Sequence, residues 1–139
     1  KEFFLDQEQK KNELKIEWNK LNEGSGVGEI ESINGQNISN DSIILDNDYV
    51  NMSGWIIGNN GKIDEIFLFV NKEVFLSSSN LEPPLETIKK FEGEQDGKIK
   101  WSIVFLSGFL EKGCYNISIG GAYNDSKFML DKELEICKI

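Results

Sequence analysis

The sequence predicts an all-β fold, an antiparallel β-sandwich of seven or eight strands preceded by an N-terminal helix. Two observations support this prediction. From Gly26 onward, short runs with the two-residue period of a strand alternate with turn-forming stretches such as GNNGK, EGEQDGK and NDSK. Before Gly26, apolar residues recur with the spacing of a helix, and glycines close the segment. Several short strands at this spacing are typical of a sandwich or barrel and not of alternating βαβ units.

The predicted helix covers residues 6–22, with Asp6 and Gln9 in the arrangement of a capping box. Three apolar residues then recur at i, i+4 and i+7 on one face: Leu14, Trp18 and Leu21. This stripe is narrow and the rest of the helix is polar. The helix therefore either packs on the domain or forms a stalk that leads from a membrane segment or another domain. We favour packing, with residues 1–25 as helix or stalk.

The sandwich domain takes residues 26–139. Its predicted strands lie at 27–33, 42–46, 48–58, 63–71, 73–78, 99–106, 114–123 and 127–137. Between two of them, EPPLETIKKF predicts a short helix over 83–91, since proline suits the first turn of a helix. In the strand at 99–106, Trp101 has the phase of its apolar neighbours, so we expect it in the core.

The composition excludes several functions. The formal net charge is −9, and fifteen cations, all of them lysine, are scattered among twenty-four carboxylates, so we expect no nucleic-acid partner. Histidine is absent, which excludes a Ser/His triad within the chain and removes the usual zinc ligand. The chain has neither a CxxC motif nor a glycine-rich nucleotide loop. We therefore expect a non-catalytic protein without a cofactor, with a small carboxylate-dependent hydrolase as a distant alternative.

The two cysteines fall in a segment that predicts a β-hairpin with its turn at NDSK. A turn centred between Asp125 and Ser126 sets Cys114 directly opposite Cys137, on the face away from the apolar pairs. Those predicted pairs are Tyr115–Ile136, Ile117–Leu134, Gly121–Leu130 and Tyr123–Phe128. A cross-strand disulfide fits this register and implies an oxidising compartment. Two unlinked thiols that face each other are the alternative.

Trp55 is the candidate ligand-binding residue. In the period of a strand it lies on the more polar face of the segment 48–58, together with Asn51 and Ser53. There it is either an exposed platform for a sugar ring, with Asn51 and Ser53 as hydrogen-bond partners, or a packing residue covered by another element such as the N-terminal helix. The general tendency of tryptophan to be buried favours the second interpretation.

The acidic stretch NDNDY is the candidate metal site. Asp46 and Asp48, with Asp41 nearby, offer carboxylate oxygens of the kind that calcium prefers. The stretch lacks the spacing of an EF-hand loop and its terminal glutamate. A solvated turn is the favoured interpretation, and we expect no metal.

Five stretches of the chain together resemble a bacterial Ig-like β-sandwich module: GVGEIESINGQ, VNMSGWIIG, IDEIFLFVNKEVF, EPPLETIKKF and KWSIVFLSGFLEKGCYNISIGGAYND. The family opens with G-x-I-(D/E), continues with a GWAxD strand, and is attached to membrane-bound glycosyltransferases and other cell-envelope proteins. The resemblance covers residues 26–137. It implies an Ig-like sandwich that serves as an accessory or recognition unit and not as a catalyst.

Individual residues carry this resemblance. Gly28, Ile30 and Glu31 match the opening, and Gly54 and Trp55 match the GW pair. The later positions that match are Asn71, Lys72, Pro84, Leu85, Trp101, Gly113, Tyr115 and Ile117. The chain departs from the family where GWIIG lacks the alanine and the aspartate of GWAxD, and where the arginine of an RPDV-like turn is missing.

These observations predict an extracytoplasmic accessory module of a larger cell-envelope protein, at the cell surface or attached to the membrane through its parent protein. The chain begins with Lys1, so we expect a piece of such a protein. We expect it to bind a glycan or another envelope protein, and a purely structural spacer is the alternative. Exposed coplanar aromatic residues would favour glycan binding, a covered Trp55 would favour the spacer, and two close carboxylates in a deep pocket would favour an enzyme.

Overall fold

The computed structural model describes residues 2–38, 42–45, 48–58, 63–79, 81–82 and 99–139. A helix, α1, spans Glu2–Lys20, and a 3₁₀ turn covers Ser107–Phe109. The strands are β1 (Asn22–Glu23), β2 (Gly26–Ile33), β3 (Gln36–Asn37), β4 (Ser42–Leu45), β5 (Tyr49–Gly58), β6 (Glu65–Val70), β7 (Glu73–Ser78), β8 (Leu81–Glu82), β9 (Ile99–Leu106), β10 (Gly113–Tyr123), β11 (Ser126–Met129) and β12 (Leu134–Lys138). The predicted helix over 83–91 lies outside the described residues.

The strands form two sheets packed face to face. In the seven-stranded sheet, β6 pairs along one edge of β10, and β11 and β12 share the other edge. β7 lies beyond β6, β4 beyond β12 and β1 beyond β11. The five-stranded sheet has the order β3-β2-β5-β9-β8. One apolar core lies between the sheets, with Ile66 and Ile117 from the first and Met52 and Trp101 from the second among its fully buried members. The prediction of an all-β sandwich is confirmed at this level, as is the buried position of Trp101.

The division into strands is finer than predicted. The two-residue strands β1, β3 and β8 are missing from the prediction because two residues are too few to show a period. The predicted strand 127–137 is two strands, β11 and β12. The other predicted strands agree with the observed ones to within two residues at each end.

At β6 the seven-stranded sheet is covered on both faces. Its run IFLFV is apolar throughout, which is the pattern of a strand without a solvent-facing side. Ile66 and Leu68 belong to the core between the sheets, whereas Phe67 and Phe69 belong to a second apolar cluster. That cluster includes Trp18 of α1, so the sheet lies between the core and the helix.

Trp18 anchors α1 to the sheet. Its ring centroid lies 5.0 Å from those of Phe67 and Phe69. Gly120 leaves space for the indole, because a Cβ at that position would lie 2.5 Å from a ring carbon of Trp18. Lys127 Nζ lies 5.3 Å from the centroid of the same ring and donates a hydrogen bond to the Trp18 carbonyl oxygen at 3.0 Å. The helix therefore packs on the sandwich, as the favoured interpretation expects.

The helix begins earlier than predicted. It starts at Glu2, so Asp6 lies within the helix, and the predicted capping box of Asp6 and Gln9 is wrong. The physical reason is that no glycine or proline precedes Asp6 to stop the helix there. Among the described residues, no helix combines the length and the apolar character needed to cross a bilayer.

The predicted hairpin register is right near the cysteines and wrong near the turn. Near the cysteines the pairs are Cys114–Cys137, Tyr115–Ile136 and Ile117–Leu134, as predicted. Near the turn they are Gly121–Phe128 and Tyr123–Ser126, in place of Gly121–Leu130 and Tyr123–Phe128. The cause is an irregularity in the returning chain, where residues 130–133 oppose only residues 118–119 of β10. The Leu130 amide bonds to the Ile119 carbonyl there at 2.9 Å.

Replacing Trp18 with alanine tests the packing of α1. The change removes the indole from its space over Gly120 and exposes Phe67 and Phe69, so we expect the free energy of unfolding to fall by about 3–5 kcal/mol in urea denaturation. The matched control is Ile16→Ala on the same helix, where the side chain is 56% exposed. That control should change the free energy of unfolding by less than about 0.5 kcal/mol. Equally small effects of both variants would show that α1 does not stabilise the sandwich.

Candidate functional site

Trp55 lies on the outer face of the five-stranded sheet, the face turned away from the core. The residues of β5 alternate: Val50, Met52, Gly54 and Ile56 are buried, and Tyr49, Asn51, Ser53, Trp55 and Ile57 point outward and are half-buried or exposed. Trp55 itself is half-buried. The expectation that α1 covers it is wrong, because the helix packs on the other sheet, where Phe67 and Phe69 offer a continuous apolar surface.

The neighbouring strands place a charged residue on each side of Trp55. Glu29 of β2 and Lys100 of β9 are its direct partners in register, and both are exposed. Directly paired residues point to the same side of a sheet, so a carboxylate and an ammonium group flank the indole. Together they offer hydrogen-bond acceptors and donors beside an aromatic ring.

A row of three serines crosses the face next to Trp55. Ser53 pairs with Ser32 of β2 and with Ser102 of β9. The pairing of β2 with β5 shifts at Glu31, and this bulge brings Ser32 alongside Ser53. The hydroxyl oxygens of Ser32 and Ser53 are 2.8 Å apart and share a hydrogen bond.

Asn51 continues the polar part of the face. Its backbone is held by Asn34, whose Oδ1 accepts a hydrogen bond from the Asn51 amide at 2.8 Å. In return, the Asn34 amide donates to the Asn51 carbonyl oxygen, also at 2.8 Å. The side chain of Asn51 is exposed. The predicted residues Asn51, Ser53 and Trp55 are therefore brought together on one face.

The end of the face at Tyr49, away from Trp55, is apolar. Tyr49 is 57% exposed, and its partner in register, Leu106 of β9, is 54% exposed. Val104, which pairs with Asn51, is 60% exposed. The outer face of β5 thus carries Tyr49 at the start of the strand and Trp55 six residues further on, with hydroxyl and amide side chains between them.

Gly54 has a packing role in β5. On the core side of the sheet, a Cβ at this position would collide with the Glu29 carbonyl oxygen and lie 2.8 Å from a ring carbon of Trp101. The Trp101 ring nitrogen donates a hydrogen bond to the Trp55 carbonyl oxygen at 3.2 Å. The glycine that precedes Trp55 therefore allows the close approach of β2 and of the Trp101 ring.

Two carboxyl groups meet on the opposite side of the molecule, where α1 crosses β6. Glu17 and Ser77 are the polar neighbours of the Glu65 carboxyl group, and Ser77 bonds to it. Burial is the largest cause that raises the pKa of Glu65 above its usual value. The Ser77 bond acts in the opposite direction, while the neighbouring Glu17 and Asp64 raise the pKa further.

A groove of about 400 Å³ lies beside this carboxyl pair, between α1 and β7. It is lined by Lys10, Glu13, Leu14, Glu17, Phe75, Leu76, Ser77, Phe105 and Phe109.

The structure bonds Cys114 to Cys137, with an Sγ–Sγ distance of 2.14 Å. The disulfide lies on the side of the seven-stranded sheet away from the core, where Cys114 is exposed. Glu135 is the third residue of a group whose potential ligand atoms lie within 4.8 Å of one another. Since the two sulfur atoms are bonded to each other, they are not thiolates and this group is not a metal centre.

The predicted acidic site is described only in part. Asp48 is exposed, and its carbonyl oxygen accepts a hydrogen bond from the Ser107 amide at 2.8 Å. Asp46 and Asp41 lie outside the described residues. The structure therefore does not describe the group that would hold a calcium ion.

The sequence identifies only part of this face. Tyr49 has the phase of Trp55 in the same strand, so its outward position follows from the alternation that places Trp55. Glu29, Ser32 and Lys100 do not follow in this way, because their positions beside β5 depend on the register of three strands. That register is fixed by the bulge and the core, which the sequence pattern alone does not show.

No protein-family model matches the chain, and no curated protein matches it. Among solved structures, the chain is similar to the endo-β-1,4-mannanase from Thermotoga petrophila, with a TM-score of 0.48 and 8% sequence identity. The alignment covers 83% of this chain and 20% of the mannanase chain. This chain thus corresponds to about a fifth of the mannanase chain, and so remote a likeness says nothing of an activity.

Replacing Gly54 with alanine tests its packing role. The new methyl group would push the Glu29 carbonyl and the Trp101 ring apart, so we expect the free energy of unfolding to fall by about 1–3 kcal/mol. Gly108→Ala is the matched control, because a Cβ at Gly108 would meet nothing within 4 Å. If Gly54→Ala is as stable as the control in urea denaturation, the close approach of these groups is not required.

Replacing Glu65 with glutamine tests the carboxyl pair. The folded state raises the pKa of Glu65, so it binds the proton more tightly than the unfolded chain, and stability is lost as pH rises from about 4.3, the usual pKa of glutamate, through the raised value. Relative to the parent protein, Glu65→Gln should therefore gain stability at pH 7 but not below pH ~4.

Urea denaturation across this pH range measures the difference. Glu17→Gln also relieves the repulsion, so the two substitutions should be non-additive in the double variant. A stability difference between Glu65→Gln and the parent protein that does not change with pH would contradict this account of the carboxyl pair.

Proposed function

We propose that this chain is a non-catalytic accessory module that binds a glycan, or alternatively another protein, through the outer face of the five-stranded sheet. The observation that carries the proposal is the arrangement on β5, where Trp55 and Tyr49 point outward with Asn51 and Ser53 between them. A sugar offers an apolar ring face and several hydroxyl groups. An aromatic ring is complementary to the apolar face of the sugar, and neighbouring side chains that donate and accept hydrogen bonds are complementary to its hydroxyl groups.

The outward side chains of β5 lie outside the core, which supports a binding role for this face. The buried residues of β5 already pack against the other sheet. Tyr49 and Asn51 are exposed, and Val104 beside them is 60% exposed. Outward side chains held in place by a β-sheet are suited to contact a ligand.

We also propose that the chain is an Ig-like module of a cell-envelope protein and that it lies outside the cytoplasm. The disulfide between Cys114 and Cys137 supports an oxidising location, where such bonds form and persist.

Nuclear magnetic resonance of the ¹⁵N-labelled protein tests this function. Each of the three tryptophans gives one indole N–H resonance, and Trp55→Leu identifies that of Trp55. On titration with a panel of bacterial envelope polysaccharides, we expect the Trp55 resonance to move, since the ring would contact the sugar. Trp18, which is 8% exposed between α1 and the seven-stranded sheet, is the internal control, and its resonance should not move.

Two results would overturn glycan binding. If no polysaccharide in the panel moves the Trp55 resonance, or if Trp55→Leu binds as well as the parent protein in affinity electrophoresis, the face is not a glycan site. Ile44→Ala, at an exposed position on the other sheet, is the control variant and should bind as the parent does.

A further inference from the structure

We propose that the ligand of this face is an uncharged, extended polysaccharide that runs along β5 from Trp55 to Tyr49, with Tyr49 as a second contact that sets the preferred chain length. This inference rests on the proposed function and makes it specific in two ways. It names the class of glycan, and it names a residue whose loss should affect long chains but not short ones.

The direction follows from the spacing of the two aromatic residues. Tyr49 and Trp55 lie on the same face of one strand, six residues apart. At about 3.4 Å per residue, this places their Cα atoms about 20 Å apart along β5. A single sugar ring cannot contact both, whereas a chain lying along the strand can.

The polar residues between the aromatic ends support the same direction. Ser53 and Asn51 follow one another along β5 between Trp55 and Tyr49, so hydroxyl groups of a bound chain would meet a donor and acceptor at each step. Ser32 extends the polar row toward β2 through its 2.8 Å hydrogen bond to Ser53. Across the strands, in contrast, the partners of Trp55 are the charged residues Glu29 and Lys100.

The charges on the face favour an uncharged chain. Glu29 and Lys100 lie on either side of Trp55 and carry opposite charges, so the described part of the face offers a polyanion no cluster of cations. The chain as a whole carries a formal net charge of −9, which repels acidic polysaccharides at low ionic strength. A polycation would be attracted to the whole acidic surface, and high salt would screen that attraction.

Burial of the apolar surface around Tyr49 would provide the binding free energy of the contact between Tyr49 and the polysaccharide. Leu106, the partner of Tyr49 in register, is 54% exposed, and the two side chains form one apolar surface with Val104. A sugar ring placed there would cover apolar area that is now in water. The gain from such burial corresponds to about a tenfold change in affinity.

The experiment is affinity electrophoresis at low and high ionic strength, followed by calorimetry with oligosaccharides of increasing length. The uncharged probes are hydroxyethylcellulose, laminarin, galactomannan and dextran, and the acidic probes are alginate and polygalacturonate. We expect an uncharged polymer to bind and the acidic polymers not to bind. High salt should leave the binding of the uncharged polymer unchanged, since no ion pairs with the ligand are involved.

Two substitutions test the direction of the ligand. Trp55→Leu should weaken binding of long and short oligosaccharides alike. Tyr49→Ala should weaken binding of the long ones about tenfold and leave the short ones unchanged. Tyr49 is exposed, so this variant should keep the fold, which thermal unfolding verifies. Ile44→Ala is again the control, and its affinities should equal those of the parent protein.

The outcomes separate this inference from the function on which it rests. If a glycan binds through Trp55 but Tyr49→Ala has no effect at any chain length, or if an acidic polymer binds best, the inference is overturned and glycan binding stands. If no polymer binds and neither substitution changes anything, glycan binding and the inference both fail. A protein partner or a structural spacer then remains.

Discussion

At β6 and the second half of β10, both faces of the seven-stranded sheet must be kept from water, and the rest of the architecture depends on this requirement. β6 and β10 carry apolar or small residues on both sides, so one side needs the five-stranded sheet and the other needs α1. Trp18 satisfies the second need by filling the space over Gly120. With α1 committed to this sheet, the five-stranded sheet has only its core side covered by these elements. Its outer face carries mixed polar and apolar side chains and is the face to which we assign the proposed ligand.

Packing on the core side also determines what the outer face presents. Gly54 lets β2 and the Trp101 ring come close to β5, and the hydrogen bond from Trp101 to the Trp55 carbonyl holds the backbone at the base of the indole. The bulge at Glu31 then sets Ser32 beside Ser53. The outer side chains are thus carried by a backbone whose position is fixed from within. A ligand that binds there would not have to order the sheet, which lowers the entropic cost of binding.

Much of the fold, but less of the candidate site, could be predicted from the sequence. The strands follow from two-residue alternation, a local property, and the cysteine register follows because the hairpin is a local contact. The break at residues 130–133 could not be predicted, since it depends on how Leu130 meets the core and not on the pattern of the strand itself. Which sheet receives α1 could not be predicted either, because that contact joins Trp18 to Phe67 and Phe69, far along the chain. For the site, alternation places Trp55, Asn51 and Ser53, but the neighbours on β2 and β9 require a register that only the folded core supplies.

The bond between Cys114 and Cys137 has a mechanical consequence. β12 is joined to β10 near its end by a covalent bond as well as by a ladder of hydrogen bonds. Tension applied at Ile139 would pass through Cys137 into β10, the strand at the centre of the seven-stranded sheet. Without that bond, β12 could be peeled from the sheet one hydrogen bond at a time. With it, tension on β12 reaches β10 at Cys114, so β12 cannot leave the sheet without loading β10 and the strand β6 that pairs with it.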